Sequence, residues 1–161
     1  AKQVITPQNA YIMNSMLRDV VKFGTGRQAL SLNRGDLAGK TGTTNDQLDA
    51  WFNGFNPELV AISWVGFDNP RTLGRYETGG RAALPMWIDF MRVALEDVPE
   101  KNFEQPVDMV TVRIDPETGL LARPGDTEAI YETFRKDNVP AMRGGSGATS
   151  SEPDDTLIEL F

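Results

Sequence analysis

The sequence predicts an α/β (α+β) fold in which one antiparallel sheet is covered by helices on both faces and a small β-element follows. Three observations predict it. Apolar residues recur at helical spacing in two separated stretches, Met13-Met16-Leu17-Val20-Val21 and Trp87-Ile88-Phe90-Met91-Ala94-Leu95. Between them, from Leu37 to Asp68, short runs rich in threonine, aromatic and β-branched residues alternate with turn formers. A chain of 161 residues with 40% apolar and 9% aromatic content also has the material for an ordinary core.

The first helix is expected from Pro7 to Lys22. Thr6 reads as its N-cap and Pro7 as its first residue, where a missing amide costs nothing. Phe23-Gly24-Thr25-Gly26 ends it, with glycine supplying left-handed geometry, and a polar connection runs to Asp36. Three strands follow near Ala38–Thr44, Asp49–Phe55 and Leu59–Phe67. Their connections, Asn45-Asp46 and Asn56-Pro57-Glu58, are short enough to make neighbours antiparallel. The third strand is nearly all apolar, the pattern of a strand covered on both faces. A second helix is expected over Arg81–Glu96, with Pro85 inside it or near its start.

Beyond Pro99 the character changes. Val110, Val112 and Ile114 alternate onto one face of a strand over Met109–Ile114, and Asp115-Pro116-Glu117-Thr118-Gly119 forms a turn. Ala129–Phe134 reads either as the partner strand or as one helical turn. Residues 143–156, rich in Gly, Ser, Asp and Glu, read as flexible. The chain thus divides into a main part, residues 1–99, an appended β-element, 100–142, and a tail, 143–161.

Composition removes several functions. A formal charge of -7 and a pI near 4.6 oppose binding to a phosphate backbone, so nucleic acid is not an expected partner. No run approaches the length of a spanning helix. The absence of cysteine and histidine excludes disulfides, thiolate chemistry and any histidine-based hydrolase. No metal or other cofactor is called for.

The sharpest local feature is Gly39-Lys40-Thr41-Gly42-Thr43-Thr44. A phosphate-binding P-loop needs a glycine five positions before Gly39, where Arg34 stands, and a helix directly after; strand patterns follow instead. The alternative is an edge strand that holds an anionic peptide. Period-2 alternation sets Thr41 and Thr43 on one face, where two hydroxyls can donate to a single carboxylate. Gly42 allows close approach, and Lys40 lowers the cost of a nearby anion or deprotonated hydroxyl.

The surroundings of that hexapeptide carry a resemblance. Leu37 to Gln47 running into Asp49-Ala50-Trp51-Phe52-Asn53-Gly54-Phe55 resembles the third box of penicillin-binding proteins and the strand after it. Trp64-Val65-Gly66-Phe67-Asp68, Glu77-Thr78-Gly79-Gly80, Ala83-Leu84-Pro85-Met86-Trp87 and Asp115-Pro116-Glu117-Thr118-Gly119 resemble later parts of the class A, bifunctional members. The likeness covers about Gln3 to Pro124. It implies part of the penicillin-binding and serine β-lactamase-like transpeptidase fold, and a DD-transpeptidase that crosslinks peptidoglycan stem peptides through an acyl-serine. β-Lactams are then the mimics that trap the serine.

What the resemblance implies for residues is specific. Lys40 gives electrostatic support beside the serine of the second box, and Thr41 and Thr43 hold the donor's carboxylate. Gly42 lies in the same substrate strand, the Thr43 amide is one of two oxyanion donors, and Thr44 plays a supporting part. A glycosyltransferase domain and a place at the periplasmic face of the bacterial inner membrane, anchored by a segment outside this chain, are also implied.

The first box, Ser-x-x-Lys, is missing: none of Lys2, Lys22, Lys40, Lys101 and Lys136 has a serine three positions before it. Ser31-Leu32-Asn33 spells the second box, Ser-x-Asn, but stands too close to Lys40 for the family's order and reads as a polar loop. The carboxylate pairs Asp46 with Asp49 and Asp154 with Asp155 read as turn and tail residues. The expected partner is therefore an upstream transpeptidase segment that bears Ser-x-x-Lys and Ser-x-Asn, as a second chain or as preceding residues. A non-catalytic peptide-binding module of the same fold, or a P-loop nucleotide binder, is the alternative.

Overall fold

The computed structural model describes residues 2–142, so the expected tail over 143–161 and the Asp154–Asp155 pair lie outside the described residues. Two compact units divide at Val107 and Asp108. The first holds helix α1 (Pro7–Lys22), a three-stranded antiparallel sheet of β1 (Ala38–Thr43), β2 (Asp49–Phe55) and β3 (Val60–Gly66), and helix α2 (Leu84–Ala94). The second holds the antiparallel pair β4 (Met109–Ile114) and β5 (Ile130–Arg135).

Helix α1 begins as its sequence dictates: the Thr6 hydroxyl accepts the Asn9 amide at 3.2 Å, and Pro7 occupies the first turn. Its end differs from expectation. Gly24 does not take a positive φ; its amide closes the helix on the Asp19 carbonyl, and a Cβ there would lie 3.0 Å from Val20 Cα and carbonyl oxygen. Glycine is needed for close approach rather than for handedness. Met13 and Met16 face outward, and Val21 is the residue that α1 commits to the core.

Strand order is β1-β2-β3, with Thr41 opposite Phe52 and Phe52 opposite Ser63. Ala50 and Phe52 are fully buried, and α2 lies over that face. Phe52 meets Trp87 edge-on at 4.9 Å between ring centroids, the Trp87 indole donates to the Ala61 carbonyl, and Ser63 Oγ donates to the Ala83 carbonyl. The buried stripe of α2 is Leu84, Trp87, Ile88, Met91 and, just past its end, Leu95. Phe90, placed with the apolar set by its type, points outward. A π-turn over Gly79–Ala83 precedes α2 where one continuous helix from Arg81 was expected; Pro85, lacking an amide, then falls in the first α-turn.

Among the described residues, most of the opposite face of the sheet is uncovered. Val60, Ile62 and Trp64 of β3 are 69%, 62% and 43% exposed, so β3 has the composition of a strand covered on both faces but receives one covering here. An apolar run records what a strand is built to meet, and the residues that meet it need not be near in sequence.

A polar network that the sequence does not announce ties the first unit together. Asp36 is buried, and its carboxylate accepts Arg34 Nε at 3.0 Å and Arg34 Nη2 at 2.7 Å. It also accepts Asn56 Nδ2 and the Lys101 amide, each at 3.3 Å. Arg34 donates further to the Val98 carbonyl, and Asn56 Oδ1 accepts the amides of Glu58 and Leu59 to form the β2–β3 turn. Burial opposes ionisation of Asp36, but the hydrogen bonds from Arg34, the Lys101 amide and Asn56, with the guanidinium charge, outweigh it and hold the carboxyl below its ordinary value.

In the second unit β5 settles the open choice for residues 129–134 in favour of a strand, with Thr111 opposite Thr133. The Asp115 side chain accepts the amides of Glu117 and Thr118, and Gly119 adopts φ +70° to close the turn.

Two outcomes follow for stability. Asp36→Ala leaves Arg34 without its buried partner and is expected to cost about 3–5 kcal/mol in urea unfolding. Because the folded carboxyl has the lower pKa, its contribution is whole above the ordinary aspartate range and fades as pH falls through the folded value; the gap between wild type and Asp36→Ala should close in that acid window. Gly54→Ala places a Cβ 2.5 Å from the Trp87 ring, and overpacking of this kind should lower stability by about 1–3 kcal/mol in the same assay.

Candidate functional site

The hexapeptide singled out by sequence is extended, and its strand is a sheet edge. A single short turn over Asn45–Gln47 joins β1 to β2, so no helix starts where a P-loop requires one. Asp46 and Gln47 carry positive φ in that turn. The Thr44 hydroxyl accepts the Asp49 amide at 2.8 Å, pinning the turn, and Asp49 Oδ1 accepts the Trp64 indole N–H at 2.9 Å. Thr44 and Asp49 are thus engaged with the turn itself.

Register decides which way each site residue faces. Thr41 and Thr43 stand opposite Phe52 and Ala50, on the face that α2 covers, whereas Lys40 and Gly42 stand opposite Asn53 and Trp51, on the open face. Lys40 is exposed and its Nζ donates to the Thr41 carbonyl at 2.9 Å. A Cβ on Gly42 would sit 3.2 Å from Trp51 Cβ, in a tight but not impossible contact.

The backbone of β1 is polarised in the same way. The Thr44 amide donates to the Asp49 carbonyl of β2. Amides and carbonyls of successive residues in an antiparallel strand alternate between partner and outside, so the Thr43 N–H points to the free side of the sheet. One strand therefore presents two hydroxyls, an outward amide and an ammonium within a few residues.

Two contacts that the sequence did not single out reach this strand from the covered face. Thr25 Oγ1 lies 2.7 Å from Thr41 Oγ1, and the Gly79 amide donates to Thr43 Oγ1 at 3.0 Å. Gly79 sits so close that a Cβ there would lie 2.3 Å from the Trp51 carbonyl oxygen and 2.5 Å from that of Gly42. The pair Gly79-Gly80 is the one local signal that could have pointed to a backbone crossing the strand. Ser31-Leu32-Asn33 lies at the end of a short 3₁₀ helix, Arg27–Leu32, with Asn33 left-handed at φ 51°.

No family model matches the chain. Individual relatives do. Penicillin-binding protein 1A of Pseudomonas aeruginosa is 51% identical over 167 aligned positions, spanning 100% of this chain and 20% of that protein. Penicillin-binding protein 1A of Neisseria meningitidis is 50% identical over 94% of this chain and 20% of its own length. The crystal structure of penicillin-binding protein 1A from Haemophilus influenzae superimposes with a TM-score of 0.82 at 37% identity, over 88% of this chain and 22% of the other. The chain belongs to the penicillin-binding proteins. It spans about a fifth of the length of the curated relatives named here. Its antiparallel sheet and covering helices are those of the penicillin-binding fold, with β1 at the edge of the sheet.

Proposed function

We propose that this chain supplies the substrate strand of an acyl-serine DD-transpeptidase that crosslinks peptidoglycan stem peptides, the nucleophilic serine coming from an upstream segment with the Ser-x-x-Lys and Ser-x-Asn boxes. The observation that carries the reading is β1 itself: an extended edge strand with Thr41 and Thr43 on one face, Lys40 on the other and the Thr43 amide turned outward, within a penicillin-binding sequence.

The chemistry follows from those directions. The serine oxygen attacks the D-Ala-D-Ala peptide carbonyl, giving up its proton; the carbon–nitrogen bond breaks and D-alanine leaves with a proton. An amine of a second stem peptide then attacks the ester and releases the serine. Thr41 and Thr43 hydroxyls hold the donor's terminal carboxylate, each such bond to a charged group contributing about 1.5–3 kcal/mol. Gly42 admits the donor backbone alongside the strand, as in addition of one more β-strand. The Thr43 N–H is one of two donors to the oxyanion, a role worth about 10²–10³ in rate. Lys40 supports the upstream serine of the second box, and Thr44 keeps the strand's end in place through Asp49. A β-lactam enters the same way, but its opened ring stays attached and traps the ester.

The open face supports the partner in this reading. Trp51, Val60, Ile62 and Trp64 are exposed together on the Lys40 side, and β3 offers the outer edge of the sheet. A serine-bearing segment that covers this face buries apolar surface, pairs the edge of β3 and faces the lysine in one step. Among the described residues no helix is long and apolar enough to cross a membrane, so a periplasmic position at the inner membrane rests on an anchor carried elsewhere in the intact protein, as does a glycosyltransferase domain.

Fluorescent penicillin labelling of the intact protein tests the assignment. Lys40→Ala should slow covalent labelling about ten- to a hundredfold, the size of a lost charge-assisted hydrogen bond, with the fold retained by circular dichroism. An unchanged labelling rate removes Lys40 from the site; no labelling of the wild-type protein leaves only a non-catalytic peptide-binding module.

A further inference from the structure

Each hydroxyl proposed to hold the donor carboxylate is itself held from behind. Gly79 N–H donates to Thr43 Oγ1 at 3.0 Å, and Thr25 Oγ1 approaches Thr41 Oγ1 at 2.7 Å. The two contacts come from separate segments: Thr25 lies between α1 and the first 3₁₀ helix, Gly79 at the turn before α2. The segments also touch. A Cβ on Gly80 would lie 3.3 Å from the Thr25 carbonyl oxygen and 3.8 Å from Thr41 Cγ2.

Hydrogen-bond direction gives the arrangement its meaning. A hydroxyl has one proton and two acceptor lone pairs. An amide can only donate, so Thr43 Oγ1 accepts from Gly79 and keeps its proton for another acceptor. The threonine pair can be arranged in either sense. If Thr25 donates, Thr41 also keeps its proton, and an anion facing Thr41 favours that sense because it needs a donor. Oxygen that accepts one hydrogen bond donates the next more strongly, since the chain of dipoles is polarised in one direction.

We infer that Thr25 and Gly79 are positioning residues, which accept no part of the substrate but set both Thr41 and Thr43 to donate toward the same carboxylate. The inference rests on the reading of β1 as the carboxylate-binding strand. Gly79 contributes backbone only, at a place where any side chain meets two carbonyl oxygens, so Thr25 is the testable half.

The experiment compares acylation of the intact protein by a penicillin with its free ring carboxylate and by the methyl ester of the same penicillin. Thr25→Val keeps the side chain's shape and removes its hydroxyl. The ratio of the free-acid rate to the ester rate should fall about two- to tenfold, the range of one net hydrogen bond, and Thr25→Ser should restore it. Thr25 is exposed, so thermal unfolding should barely move. Thr25→Ala, read by the same ratio, replaces Thr25→Val should the valine variant not fold. An unchanged ratio, equal loss on acid and ester, or failure of serine to restore the ratio overturns the inference. The double variant Thr41→Val/Thr43→Val separates the two levels: if it keeps the wild-type ratio, β1 does not bind the carboxylate at all, whereas if it loses the ratio and Thr25→Val does not, only the positioning role fails.

Discussion

The contact between Phe52 and Trp87 fixes the parity of the sheet, and the site depends on parity. In a pleated strand side chains alternate faces, so burying Phe52 beneath α2 sends Ala50 and Gly54 inward with it and, across the ladder, Thr41 and Thr43 to the same side. Lys40, Gly42 and Trp51 must then face the other way. A slip of one residue between β1 and β2 would reverse all of these and carry the ammonium of Lys40 to the face packed by α2. Gly54 and Gly39 make the fit possible: a Cβ on the first meets the Trp87 ring and on the second the Asn53 carbonyl oxygen and the Phe52 ring, at 2.8 Å or less.

Asp36 holds that sheet to its surroundings. It joins the entry into β1, the β2–β3 turn and the segment after α2 through one carboxylate with four hydrogen bonds. A buried charge so fully paired contributes less net stability than its gross interactions imply, yet removing a partner is costly. Among the described residues no strand pairs with the outer side of β1, so the strand proposed to receive a peptide is supported at both ends and open between them.

Much of this was readable from local pattern. Thr6-Pro7 sets the start of α1, turn formers bound β1 and β2, and alternation alone puts Thr41 and Thr43 on one face. What escaped shares one cause: it depends on partners far along the chain. Asp36 looked like the end of a polar loop because Asn56 and Lys101 lie 20 and 65 residues away. Gly79 is a glycine in a loop until the strand beneath it is seen, and Gly24 looked like a left-handed cap until Val20 proved to be the reason for it. The outer face of β3 is a separate case: its apolar run reports a covering that is not found among the described residues. Phe90 shows the complementary error of assigning an apolar type to the core, when the stripe of α2 at helical spacing runs through Trp87, Ile88 and Met91 instead.

The central claim is directional: an acyl donor lies along the free side of β1 with its carboxylate at two hydroxyls and its carbonyl oxygen at one backbone amide. The most direct measurement is a crystal structure of the intact protein acylated by a penicillin. The account predicts the ring carboxylate within hydrogen-bond distance of Thr41 and Thr43 Oγ1 and the ester carbonyl oxygen on the Thr43 amide. A carboxylate bound away from both threonines, or an ester oxygen turned from that amide, contradicts it.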